Sequence, residues 1–304
     1  MTLQRMIDQL SDWELEVAAR SSYAYYNMTK FATHDLTQAR NEAAMAMAAR
    51  HLKAEKGDVA LALQKMRATI HWRHEKRMDL LRDCFHTETP EALELRKKIQ
   101  HYVGPKGKLV VRGFDRQHRA CWHTVGRHSP PGTQADHEGC MISHYYMLER
   151  ALACSEARSL QFLVGNKKPQ EMVVVSVDFG GFKKQHAPLF QTVKELLFDL
   201  RDHYPERLFR VYFVDAPIVF RGLWNMIKPF VDPGTKAKFQ FVTGTSQRIQ
   251  LFSEAMGSGQ CMPYQHPHGE LSENVLTEDF LQLPFIMAYE GNADITTTDS
   301  SEGS

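Results

Sequence analysis

Tyr204-Pro-Glu-Arg-Leu-Phe-Arg-Val-Tyr-Phe-Val-Asp-Ala-Pro217 leads into Ile-Val-Phe-Arg-Gly-Leu-Trp-Asn-Met-Ile-Lys-Pro-Phe-Val231 and then Asp-Pro-Gly-Thr-Lys-Ala-Lys238. Three textures follow one another here. Phe209–Val214 is short and rich in β-branched and aromatic residues, which suits a pleated, half-buried strand. Phe220, Leu223, Trp224, Ile227 and Phe230 recur every three or four residues and predict an amphipathic helix over 218–231. Phe239–Thr243 reads again as a strand. Strand, helix and strand in so short a span is the signature of an α/β layer architecture.

The same alternation extends upstream. Strands are predicted at Lys108–Phe114, Ala120–Val125 and Met172–Phe179, and Met172–Val177 is almost wholly apolar, as in a strand covered on both faces. Helices are predicted at Glu138–Val164 and Leu189–His203, the second with a stripe of Leu189, Val193, Leu196 and Leu200. Residues 1 to 85 differ. They are rich in Ala, Met, Gln and Arg, and Val59, Leu63, Met66 and Ile70 follow helical spacing behind Asp58 as an N-cap. Three or four packed helices are expected there. The division that follows is a helical module at 1–95, an α/β domain with a C-terminal extension at 96–290, and a tail at 291–304 whose polar composition predicts disorder.

Charge is unevenly spread. The 304 residues carry 37 Lys and Arg against 36 Asp and Glu, but residues 263 to 304 hold eight carboxylates and no Lys or Arg. The first 262 residues therefore set 37 basic against 28 acidic side chains, a net of +9, and between Arg50 and Arg119 seventeen basic residues face nine acidic ones. Such a run is either a solvated face or an attraction to anionic surfaces. Nucleic acid is not expected, because no aromatic platform or recognition motif accompanies the charge. No apolar run approaches the length of a spanning helix, and the five cysteines form no close pair, so a cytoplasmic protein is expected, and the second reading of the charge would add peripheral membrane association.

Catalytic signatures are missing. There is no Gly-x-Ser-x-Gly elbow, Gly104-Pro-Lys-Gly-Lys108 lacks the spacing of a phosphate-binding loop, and the fifteen histidines form no metal-ligand pattern. No catalytic residue, metal or cofactor is assigned.

The segment 204–238, together with Gly107-Lys-Leu-Val-Val-Arg-Gly-Phe-Asp115 and Asp178-Phe-Gly-Gly-Phe182, resembles the CRAL-TRIO lipid-binding family, specifically its phosphatidylinositol transfer branch. The resemblance implies a mixed β-sheet flooring an apolar lipid cavity, closed by a gate helix, beside an N-terminal helical module. By position the gate is the helix carrying Phe220, Leu223, Trp224, Ile227 and Phe230. The resemblance also places Glu206 and Lys238 in the inositol head-group site, with Thr235 at a polar family position and Arg207 as a neighbour. A two-chain phospholipid hides about 30 methylenes at about 0.8 kcal/mol each, so chains require a cavity but cannot select a lipid. Selection falls to the head group, where a carboxylate and an ammonium together can pair with inositol hydroxyls.

Two departures stand out. Where phosphatidylcholine-binding relatives place hydroxyls, this chain has Val173 and Val175, which puts a choline-phospholipid second ligand in doubt and leaves room for a less polar one such as a sterol or isoprenoid. Lys53-Ala-Glu-Lys-Gly57 replaces a more basic and aromatic stretch. The leading expectation is binding and transfer of phosphatidylinositol between membranes. A carrier of a neutral isoprenoid, with Glu206 and Lys238 paired to each other, is the rival within the fold, and a lipid-modifying enzyme is the rival from another class.

Overall fold

The computed structural model describes residues 2–104, 108–133, 135–161, 169–231, 233–244, 246–248 and 250–251. Seven helices come first: α1 (Thr2–Ile7), α2 (Asp12–Arg20), α3 (Tyr23–Phe31), α4 (Thr37–Ala54), α5 (Val59–Glu75), α6 (Met78–Asp83) and α7 (Pro90–Gln100). Six of them lie before residue 85, where three or four were expected. The reason is the kind of side chain at their contacts. Ala18, Ala19, Ala44, Ala48 and Ala62 are fully buried, so α2, α4 and α5 approach closely through small residues that give little hydrophobic periodicity. Local signals did mark the ends. Asp58 accepts from the Leu61 N–H at 3.0 Å, and Thr89 with Pro90 begins α7. α7 runs across residue 95, where the sequence placed a domain boundary.

The sheet has five strands in sequence order: β1 (Leu109–Phe114), β2 (Ala120–Val125), β3 (Val173–Asp178), β4 (Leu208–Val214) and β5 (Phe239–Val242). β1 and β2 are antiparallel and the remaining pairs are parallel, which makes the sheet mixed. Helices α8 (His137–Gln161), α9 (Phe190–His203) and α10 (Ile218–Ile227) make the crossovers. Because the order always advances in one direction, right-handed crossovers set all three helices on one face. The period of two confirms it. Trp122 and Val173 share a core with α8, and Val211 and Phe213 share one with Trp224 of α10. Cys121, Val174, Tyr212, Val214 and Val242 form the opposite face.

The predicted helix over 218–231 ends earlier than expected. α10 stops at Ile227 and tightens into a 3-10 turn at Lys228–Phe230, where Pro229 cannot donate to a regular ladder, before the short α11 (Pro233–Lys236).

The helical segment and the sheet share one core. Trp72, Met78, Leu81 and Cys84 pack with Leu109, Val111 and Trp122. At its centre is Glu149 of α8, 1% exposed. Its carboxylate receives Arg73 at 2.8 and 3.1 Å, Arg82 Nε at 2.6 Å and the Tyr204 hydroxyl at 2.8 Å. Arg82 also donates to the Ser21 carbonyl at 3.1 Å, reaching the end of α2. A second carboxylate of α8, Glu156, caps α3 by accepting from Ser22 Oγ and from the Tyr23 and Ala24 N–H groups.

Burial alone would push the Glu149 carboxyl up from its ordinary 4.5. Arg73 and Arg82, with the hydrogen bonds from Arg73 and Tyr204, more than reverse this and hold it far below the usual carboxylate range. A carboxyl depressed on folding contributes stability that is present above its unfolded pKa and lost as pH falls below it. Glu149→Gln should cost about 3–5 kcal/mol in urea unfolding at pH 7, because two guanidinium groups lose their counter-charge. The acid-side loss of stability below pH 4.5 should be shallower in the variant.

Candidate functional site

The turn Tyr204–Arg207 sends successive side chains to different places. Tyr204 points inward to Glu149, and Trp72 meets it edge-on at 5.8 Å while stacking on His203 at 4.5 Å. Glu206 adopts a left-handed backbone at φ 58°, unusual for a residue with a Cβ, and the Arg207 N–H closes the turn on the Tyr204 carbonyl at 3.3 Å. The anchored tyrosine therefore fixes where Glu206 emerges, just ahead of β4.

Glu206 and Arg207 then separate. The Arg207 side chain is buried, donates to the Glu171 carbonyl at 3.1 Å and lies 3.7 Å from its carboxylate, which also pairs with buried Arg50. Arg207 is thus committed to Glu171. Burial and the neighbouring Arg207 push the Arg50 guanidinium down, with Glu171 opposing them. Glu206 is about one quarter exposed and pairs with Lys53 Nζ at 2.6 Å. Lys53 is a site residue that the head-group assignment did not include. Its only signal in the sequence was the unusual stretch Lys53–Gly57. A groove of about 430 Å³ opens beside it, between Leu3, Leu52 and Lys56.

Thr235 and Lys238 come together at the start of β5. The Lys238 N–H donates to the Thr235 carbonyl at 3.0 Å, and the Lys238 carbonyl accepts from Val211 at 2.9 Å. The register that sets Val211 beside Phe239 places Lys238 alongside Arg210, on the strand next to the one that Glu206 precedes. Both residues belong to the N-terminal edge of the sheet. Among the described residues no ion pair joins them, so the direct Glu206–Lys238 pairing that a neutral-lipid carrier was expected to show is replaced by Glu206–Lys53.

α10 lies flat on the sheet. Phe220 is 4.4 Å from Phe179 and 4.8 Å from Phe213 by ring centres, and Trp224 is 4.5 Å from Phe239. The side chains of Leu223, Ile227 and Phe230 lie outside the described residues. Trp224 is turned inward and 9% exposed, whereas Ile218 and Val219 are 87% and 84% exposed. Leu189 and Phe190, at the start of α9, are also half exposed, and both helices begin at the C-terminal edge of the parallel strands. Val173 and Val175 lie on the helix-covered face, which makes this floor apolar, while Ser176 faces the other way.

Among the described residues, five of the basic side chains between Arg50 and Arg119 are buried: Arg50, Arg73, Arg82, Lys108 and Arg119. The basic excess is therefore partly interior pairing and only partly a surface field. No three His, Cys, Asp or Glu side chains among the described residues converge as a metal site requires, and no described helix is long and apolar enough to cross a membrane.

Residues 105–256 match the family model described as CRAL/TRIO domain. The chain is 26% identical over 200 residues to phosphatidylinositol transfer protein PDR17 of Saccharomyces cerevisiae, covering 63% of this chain and 50% of that protein. It is 29% identical over 210 residues to phosphatidylinositol transfer protein CSR1 of Eremothecium gossypii, covering 68% and 44% respectively. The chain thus spans about half the length of these curated relatives. The crystal structure of Sfh5 superposes with a TM-score of 0.54 at 16% identity, over 92% of this chain and 90% of that one, which shows the shared fold.

The two arms of the motif should respond differently to substitution. Arg207→Met removes the bond to the Glu171 carbonyl and one ion pair, and should lower stability by only about 1 kcal/mol, because Glu171 is one-third exposed and keeps Arg50, which is relieved of a like charge. Lys238→Ala removes no ion pair among the described residues and should leave the urea midpoint unchanged.

Proposed function

The chain belongs to the CRAL/TRIO family, and on that footing we propose that it is a non-catalytic carrier. In this reading it binds phosphatidylinositol, moves or presents it between membrane surfaces in the cytoplasm, and exchanges it for a second, less polar lipid. The observation that carries the reading is the placement of Glu206 and Lys238. They occupy neighbouring strand starts at one sheet edge, anchored through Tyr204 and Val211, without neutralising each other. A ring bearing several hydroxyls can accept from Lys238 and donate to Glu206, and the exposed Lys53 can swing away at little cost because surface ion pairs contribute about 1 kcal/mol or less.

The acyl chains would enter over the apolar floor of Val173 and Val175. With Phe220 and Trp224 seated on β4 and β5, α10 has to lift for two chains to fit. Leaving that aromatic layer uncovered in water is unfavourable, so lifting is easiest where lipid replaces water. Ile218 and Val219 are already exposed and would meet the bilayer first, in place of the inward-facing Trp224.

Two measurements test this. Replacing both Glu206 and Lys238 by Ala should lower phosphatidylinositol transfer by roughly tenfold or more, at unchanged stability, since hydrogen bonds to charged groups contribute about 1.5–3 kcal/mol each. Transfer at the wild-type rate would make the neutral-lipid carrier the better account. Ile218→Asp with Val219→Asp should weaken binding to phosphatidylserine-containing vesicles by roughly tenfold, since burying each aliphatic side chain contributes about 1.5–3 kcal/mol. Unchanged binding would remove α10 from the contact.

A further inference from the structure

The end of α5, α6, the starts of α7 and α8 and the middle of α9 line a groove of about 730 Å³. Its floor is apolar. Leu81, Met141 and Tyr145 are buried beneath it, and Leu80, Leu95 and Ile142 are half-buried along it. Its rim is acidic, with Glu75 from α5, Glu91 and Glu94 from α7, Glu138 from α8, and Glu195 and Asp199 from α9.

Local explanations cover only part of this rim. Glu91 and Glu138 occupy first turns, where the helix dipole favours a carboxylate. Lys98 pairs with Glu138 at 3.0 Å and lies 3.8 Å from Glu94, His137 lies 3.1 Å from Glu195, and Asp199 accepts from the Tyr145 hydroxyl. Glu75 makes no ion pair among the described residues, and neither does Glu91. Counting Lys76 and Arg77, which also line the groove, together with Lys98, six carboxylates face three cations. A net of −3 around an apolar trough, in a chain with an overall charge of +1, is a local inversion of its composition. Converging like charges repel, and a basic partner relieves that repulsion.

We propose that this groove docks a basic amphipathic helix of another protein, with Leu-like side chains on the floor and Lys or Arg against the rim. An apolar trough with charged edges is the shape that a helix with one apolar face fills. The complementary charge sets orientation and speeds encounter. The C-terminal residues of this chain do not suit the groove, because 263–304 carry eight carboxylates and no Lys or Arg. The inference is independent of the lipid reading, since no groove residue belongs to the proposed lipid site.

The test uses the full chain and a synthetic helical peptide of about 14 residues, Leu on one face and Lys on the other. Fluorescence anisotropy should show saturable binding that weakens with salt. Glu75→Lys with Glu91→Lys changes two exposed side chains and should weaken the Lys peptide roughly tenfold while creating affinity for its Glu counterpart. Urea unfolding should show only the small loss expected of a lysine in the first turn of α7, with the variant fully folded where anisotropy is read, which separates lost docking from lost folding. Equal binding of the Lys peptide to wild type and variant would overturn the proposal. So would displacement of the peptide by spermidine at comparable concentration, which would make the groove a site for small cations.

Discussion

Glu149 is a carboxylate with almost no access to water, and an isolated charge in that position would be prohibitively costly. It is tolerated because Arg73 of α5, Arg82 of α6 and Tyr204 of the α9–β4 turn converge on it from three other segments. Each of these residues is far from Glu149 in sequence, so none can be satisfied until the helical segment, α8 and the start of β4 are assembled together. A surface ion pair would not have this effect. Buried and hydrogen-bonded, the cluster disfavours partial assembly, because any arrangement lacking one member leaves buried polar atoms without their partners.

That constraint reaches the proposed lipid site. Tyr204 belongs both to the buried cluster and to the turn that sets Glu206 in its left-handed conformation. The rigid anchor lies one residue before the Pro–Glu step, so the position of Glu206 is inherited from the core and does not depend on a flexible loop. Lys238 is fixed differently, through a backbone bond to Val211 in the neighbouring strand. Two charges held by separate parts of the scaffold form a pre-organised frame. The part proposed to move is elsewhere: α10 covers the sheet with aromatic contacts and faces solvent at the opposite edge through Ile218 and Val219.

The sheet was legible because its strands are short, β-branched and bounded by turn residues; Ala120–Val125 was placed to the residue, and the other strands within two. The helices before residue 54 were harder to count, since alanines at their contacts carry little hydrophobic signal. Glu149 was not legible at all. In Tyr-Tyr-Met-Leu-Glu-Arg it looks like one member of a solvated pair, and its partners Arg73 and Arg82 lie 76 and 67 residues away. The resemblance singled out Glu206 and Lys238, but the separation of Arg207 toward Glu171 and the contact of Glu206 with Lys53 depend on a left-handed turn that no local pattern announces. The acidic groove is equally silent in sequence, because its carboxylates come from four helices.

The central claim is that a charged frame at the start of β4 and β5 selects the lipid, while the apolar floor only accommodates it. Mass spectrometry of lipid extracted from the protein after equilibration with vesicles containing equal amounts of phosphatidylinositol, phosphatidylcholine, phosphatidylserine and sterol tests it directly. The account predicts phosphatidylinositol enriched over the other phospholipids, with sterol the only competing occupant. Recovery of the phospholipids in the proportions supplied, or of sterol alone, would contradict it.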